Sequence, residues 1–162
     1  MKPDGHFVIK GATLTVVEAS IYESRRGTAE TSIYDLIFDN GVSLKVKTSF
    51  TTNLEQIEVK EEDEEGRIIL AIDGYGTFQT FGENQEALFE SQWRPTGEPR
   101  LVIYNNLSTE LKIPAIYSGT GMNSYEGYTV SGQMTLEMTG FDESGMGVYE
   151  IYGEGTIQST NG

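Results

Sequence analysis

Between Tyr128 and Gly140 the residues alternate without a break: Val130, Gly132, Met134, Leu136 and Met138 fall on one side, and Thr129, Ser131, Gln133, Thr135, Glu137 and Thr139 on the other. A period of two is the mark of a β-strand with one dry face and one wet face, and a helix cannot bury that pattern. The same rhythm returns at Val42–Phe50, where Val42, Leu44, Val46, Thr48 and Phe50 oppose Ser43, Lys45, Lys47 and Ser49. A chain that repeats it needs a sheet with one covered face.

Taken in order, Phe7 to Ser20 reads as a first strand with a bulge or bend at Gly11, and Tyr22 to Thr31 as a polar loop around Arg25-Arg26-Gly27. Ile33 to Phe50 is a hairpin: Asp39-Asn40-Gly41 separates two apolar runs, and Asn-Gly favours the left-handed backbone of a type I′ turn. Strands are expected at Leu54–Lys60 and Arg67–Ile72 around an acidic tip, Glu61 to Glu65. That tip lacks the alternating oxygen donors and distal glutamate of a calcium loop, so it reads as a solvated turn and no metal site is expected. Gly74-Tyr75-Gly76 and Gly82-Glu83-Asn84 punctuate the next stretch. Strands follow at Thr77–Phe81, at Glu86–Trp93 with a short helix over Asn84–Phe89 as the alternative, and at Arg100–Asn105. Leu111–Tyr117 carries Pro114 and suits an edge or a bulge; the last strand is Val148–Ile157, with Gly153 and Gly155 leaving room on one face.

Composition removes several chemistries. The 162 residues suit one domain, 1–162, and hydrophobic residues at 37% are spread along it. A formal charge of −14 repels phosphate backbones and anionic lipid, so neither nucleic acid nor a membrane is an expected partner. With no cysteine there is no disulfide, thiolate nucleophile or zinc-thiolate site. No apolar h-region follows the start and no run nears the roughly 18 residues that cross a bilayer, so a cytoplasmic protein is expected. The single histidine, His6, sits at an end expected to fray, which weakens any Ser-His-Asp reading. Gly74-Tyr75-Gly76 and Gly119-Thr120-Gly121 lack the helix and lysine of a phosphate cradle, and no cofactor is expected.

Short strands joined by turns leave a sandwich or a closed barrel, and sequential hairpins favour the second. The expected fold is all-β: a single antiparallel up-and-down barrel of about eight strands with an apolar lumen. Gly119 to Leu136, G-T-G-M-N-S-Y-E-G-Y-T-V-S-G-Q-M-T-L, resembles the late glycine-rich segment of allene-oxide-cyclase-like and dirigent-like barrels. The order of opening strand, D-N-G hairpin, acidic turn and Ile-rich strand is also similar to the bacterial barrel cyclases that form spirotetronates by [4+2] cycloaddition. Tyr125 stands where those barrels have an aromatic, although the spacing to Gly132 is longer, and none of their catalytic residues transfers to a position of this sequence. The resemblance implies a ligand-holding barrel and a cyclisation achieved by shaping the substrate.

The candidate wall of such a lumen is Phe78, Phe89, Trp93, Met134 and Met138, around an expected cavity of a few hundred Å³ for a small apolar molecule. Trp93 is a flat wall with one donor, or a core plug. Tyr75, Tyr104 and Tyr117, near glycine turns or strand ends, could donate to a substrate carbonyl or could be surface decoration. Three functions fit: a cofactor-free cyclase or isomerase of a polyene or polyketide-like intermediate, a non-catalytic lipocalin-like binder, or an interaction protein with a filled barrel. Ile37, Phe81 and Leu88, on faces opposite the core set, point to a homodimer.

Overall fold

A computed structural model describes residues 2–19, 25–62, 68–96, 100–103, 109–144 and 147–160. Its strands are β1 (Gly5–Ala19), β2 (Arg25–Thr31), β3 (Tyr34–Phe38), β4 (Ser43–Glu62), β5 (Ile68–Gly82), β6 (Ala87–Pro95), β7 (Arg100–Ile103), β8 (Thr109–Gly121), β9 (Tyr128–Phe141) and β10 (Gly147–Ser159). The only helix among the described residues is one 3₁₀ turn, Asn123–Tyr125.

Every strand pairs antiparallel with its neighbour, and β10 returns to β1 through His6↔Thr156 and Leu14↔Tyr149. β1 and β4 are bridged twice, by β2 at one level and by β3 at the other; β5 and β8 are likewise bridged by β7 and by β6. The broken pairs β2–β3 and β6–β7 each act as one stave, so the ten strands form an up-and-down ring of 8. Among the described residues, closure leaves no long edge strand for a second chain to pair with.

Several local readings change. Arg25–Thr31 is a strand, not a loop: Ala29 is buried between Val16 and Phe50, and Thr31 lies inward with its Oγ1 accepting from the Thr48 amide at 2.8 Å. Ser43–Glu62 runs unbroken where two strands were expected, and Gly74-Tyr75-Gly76 lies inside β5. The bend near Gly11 is present as a register shift between Ile9 and Ala12. Pro114 sits within β8, not at an edge. It faces the gap between β6 and β7, where its carbonyl accepts from Thr96 N at 2.8 Å and no amide is needed from it. Residues 84–89 form a turn and the start of β6, not a helix.

The hairpin at Asp39-Asn40-Gly41 joins β3 to β4 as expected, but not through a type I′ turn: only Gly41 is left-handed, at φ 86°. Gly41 N bonds Phe38 O at 2.9 Å and Phe38 N bonds Val42 O at 2.8 Å, the pattern of a three-residue loop whose last member is left-handed.

The interior is filled by the inward set of each stave: Phe7, Ile9 and Leu14 from β1, Leu36 and Phe38 from β3, Val46 and Phe50 from β4, and Phe78 from β5. Opposite them lie Phe89 and Trp93 from β6, Ile113 and Tyr117 from β8, Val130, Met134 and Leu136 from β9, and Ile151 and Ile157 from β10. Leu88 is also buried, because a register shift at Thr80/Phe81 turns two successive residues of β6 inward. Its place in the expected dimer surface is therefore withdrawn. Val42, expected on the dry face, lies exposed at the hairpin tip.

Candidate functional site

Three inward residues of β6 organise the interior: Phe89, Ser91 and Trp93, at 2%, 1% and 3% exposure. Phe89 faces one end of the barrel, where Tyr125 folds in from the β8–β9 connection with ring centroids 4.9 Å apart. Tyr128 meets Tyr125 edge-on at 5.4 Å, and the Tyr125 hydroxyl donates to Pro3 O at 2.8 Å. Burial raises the Tyr125 phenol to about 12, so it stays a donor. This aromatic plug is held from outside by Glu86, whose carboxylate accepts from both the amide and the hydroxyl of Ser124, which draws its pKa down. Asn123 fixes the other side by donating to Ala87 O at 2.7 Å.

Ser91 and Trp93 each stand opposite a glycine. A Cβ on Gly119, the partner of Ser91, would collide with the Ser91 hydroxyl; a Cβ on Gly76, the partner of Trp93, would collide with the indole nitrogen. Glycine at both positions is what lets these groups lie flat inside the wall. Neither Ser91 Oγ nor Trp93 Nε1 has a hydrogen-bond partner. Buried polar atoms left that way are uncommon and cost about 1–3 kcal/mol each.

Tyr117 pairs across strands with Trp93 and meets Phe78 edge-on at 5.6 Å; Phe78 in turn stacks on Phe50 at 4.9 Å. The Tyr117 hydroxyl donates to Glu154 O at 3.0 Å and lies over Gly132 and Gly155, where a side chain would displace it. Burial holds this phenol far above its ordinary range. Tyr34 is partly buried; desolvation raises its phenol to about 12, and its Oη is hydrogen-bonded to Thr48 Oγ1 at 2.6 Å.

Phe78, Phe89, Ser91, Tyr117 and Met134 thus line one internal cavity together with Tyr34, Thr80 and several aliphatic side chains. Its volume is about 30 Å³, in place of the few hundred expected. Side chains, not open space, fill this part of the lumen. Trp93, the next inward residue of β6 after Ser91, is buried but does not line this cavity; it borders an outer pocket with Tyr75, Gly76, Arg94 and Tyr117. Met138 is only partly buried, packing on the core further along β9 beside Tyr149. Tyr75 points outward and is 49% exposed, which removes it as a donor to an internal substrate. Tyr104 lies outside the described residues. Ser91 and the plug residue Tyr125 had no place among the expected site residues, because a lone serine in an alternating strand carries no chemical signature of its own. No group of three or more histidine, aspartate or glutamate side chains among the described residues is placed to hold a metal ion.

A second cluster sits at the exposed side of the β1–β10 pairing. His6, far from frayed, is a β1 residue whose Nδ1 is 2.8 Å from Asp39 and whose Nε2 is 3.0 Å from Glu154. Neutral imidazole donates through one nitrogen only, so two carboxylate partners require the imidazolium. The bonds to Asp39 and then Glu154 raise the His6 pKa; the bonds from His6 and then Gln133 lower that of Glu154.

No protein-family model matches the chain, and no curated protein or solved structure matches it either.

Proposed function

We propose that this barrel works through its interior as a cofactor-free cyclase or isomerase of a neutral polyene or polyketide-like intermediate. The observation that carries the reading is the convergence of Phe78, Phe89, Trp93, Tyr117 and Met134 on one dry, aromatic-walled interior with no ionised side chain among its described residues. Such a wall can do chemistry only by holding reacting ends together, and confinement of that kind lowers a barrier by up to roughly 7–11 kcal/mol without acid or base. An intramolecular [4+2] closure suits it: two σ bonds form from π electrons of the same molecule, and nothing enters or leaves. Because the open volume is about 30 Å³, the guest enters only as side chains yield. Met134, unbranched and soft, is the lining residue best able to move.

The test is incubation with 1,7,9-decatrien-3-one, a linear trienone able to close on itself. An isomer of unchanged mass, formed faster than in buffer and slowed by Met134→Ile, supports the reading. Binding without conversion makes the protein a lipocalin-like carrier, and neither binding nor conversion overturns the reading.

A homodimer is proposed on the outward residues Ile37 and Phe81, both partly exposed. Light scattering at micromolar concentration reads twice the 17.9 kDa chain mass if it forms and the single mass if it does not.

A further inference from the structure

We infer that the barrel interior selects neutral guests bearing a carbonyl-type acceptor, and that Ser91 and Trp93 are the residues that read it. The inference rests on the interior being the binding site, and adds the chemical class of what binds there.

Both side chains are more than nine-tenths buried, both lack a partner, and both belong to the inward face of one strand. Each also occupies room that a glycine on the neighbouring strand leaves open, Gly119 for the hydroxyl and Gly76 for the indole. A barrel that only needed filling would be better served by alanine or valine at 91 and by an aromatic without a donor at 93, since an unmet donor in an apolar core lowers stability. Of the other polar groups of this region, Tyr34 is engaged with Thr48, Tyr117 with Glu154 O and Thr31 with the Thr48 amide, while the Thr80 hydroxyl also lines the cavity. Ser91 Oγ and Trp93 Nε1 are the fully buried side-chain atoms among the described residues that have no partner, and both can donate.

Indole N–H donates and cannot accept, so a group bound to it must be an acceptor. A carboxylate is excluded as the acceptor, since no cation lies among the interior residues to compensate its burial and the chain as a whole carries −14. A ketone, ester or lactone oxygen satisfies both conditions. The 30 Å³ cavity at Ser91 has room for such an oxygen and its carbon, while the body of the guest takes the place of Met134.

Cyclohexanone and methylenecyclohexane differ in shape by little more than an oxygen for a methylene, and form the probe pair. Affinities are measured by ligand-detected NMR for the unaltered chain and for Ser91→Ala, Trp93→Phe and the double variant. Taking the ratio of the two probes cancels the packing lost in each variant, and comparing that ratio between proteins cancels the hydration of the ketone. The expected result is a ketone-to-alkene ratio that falls about tenfold or more in the double variant, with the single variants assigning the donor. If Trp93 is the donor, the single indole N–H resonance of the chain also moves downfield with ketone and not with alkene. Ser91→Ala, which removes one unpaired oxygen, is expected to melt no lower than the parent and serves as the folded control. If both probes bind with a ratio unchanged across the variants, the selection is overturned while the interior remains a binding site. If neither probe binds and the trienone does not either, the binding site itself is overturned, and the selection with it.

Discussion

Two hairpin loops of this chain share one backbone pattern, and they differ at their first and third residues. In Asp39-Asn40-Gly41 and in Glu83-Asn84-Gln85 the asparagine side chain accepts from the amide two residues on, at 3.0 Å from Val42 and 3.1 Å from Glu86. In each the third residue bonds back three places and is left-handed, with φ 86° at Gly41 and 66° at Gln85. Glycine takes that conformation freely, while an L side chain meets its own backbone there at roughly 1–2 kcal/mol. Part of that is offset by the extra freedom glycine loses on folding, so Gln85→Gly should raise stability by about 0.5–1 kcal/mol. Gly41→Gln should lower it by a similar amount. Urea midpoints with unchanged slope are the measurement, and a Gln85→Gly chain no more stable than its parent would refute the strain argument. The first loop reads from the sequence as Asn-Gly; the second reads as a break at Gly82-Glu83-Asn84, but its left-handed third residue does not, because glutamine gives no sign of one. Similar reasoning applies at Gly155, where a Cβ would meet both Tyr117 Oη and Phe7 Cζ. Gly155→Ala should cost about 1–3 kcal/mol, as overpacking does, and more than Tyr117→Phe, which forfeits one hydrogen bond of about 0.5–1.5 kcal/mol. Equal melting temperatures for the two variants would show that the seat yields.

Among the elements, those with a two-residue period were legible and those that borrow their burial were not. β9 reads from its sequence because its own residues alternate: Val130, Met134 and Leu136 are buried as the pattern requires. Among its described side chains β2 buries Ala29 and Thr31 alone, and it is a strand because β1 and β4 need a partner between them. β5 looked interrupted at Gly76, yet that glycine exists to admit Trp93 from β6, a fact held by the other strand. The candidate wall was half legible for the same reason. Inward side chains of β6, β8 and β9 could be placed by parity, whereas the volume they leave depends on how all staves meet. His6 shows how one residue can join elements: it ties β1 to the β3–β4 loop through Asp39 and to β10 through Glu154. Its raised pKa means the clasp is fully formed below the ordinary value of 6.5 and is lost as pH rises through the raised one. The lowered pKa of Glu154 means the clasp is present above the ordinary 4.5 and is lost as pH falls through the lowered one. Both conditions hold between those ordinary values. His6→Gln should therefore lower the melting temperature most at about pH 5.5 and little at about pH 9. A difference that does not change with pH would mean the side chain contributes by packing alone.

At the scale of the whole molecule, charge and polarity are separated radially. The described interior is apolar or hydroxylic, so the described charged side chains lie on the outside of the closed ring. Ion pairs relieve only part of the formal −14: Lys45–Asp35 at 3.3 Å is more than half exposed on its lysine, and the His6 pairs are exposed as well. Exposed pairs contribute at most about 0–1 kcal/mol, whereas an excess of 25 acidic over 11 basic residues repels itself across the whole surface. Folding brings those charges closer than the unfolded chain holds them, and the screening length shrinks from about 30 Å at 0.01 M salt to about 3 Å at 1 M. Added sodium chloride should consequently raise the melting temperature at pH 8, above the range in which the His6 clasp is fully formed, since the ion pairs among the described residues are exposed ones. His6→Gln should rise by the same amount there, since the gain belongs to the net charge and not to the clasp. At about pH 5.5 the parent should gain less than the variant, because salt then also weakens the clasp that only the parent has. A parent chain that melts lower in salt at pH 8 would show that specific surface pairs outweigh the net charge.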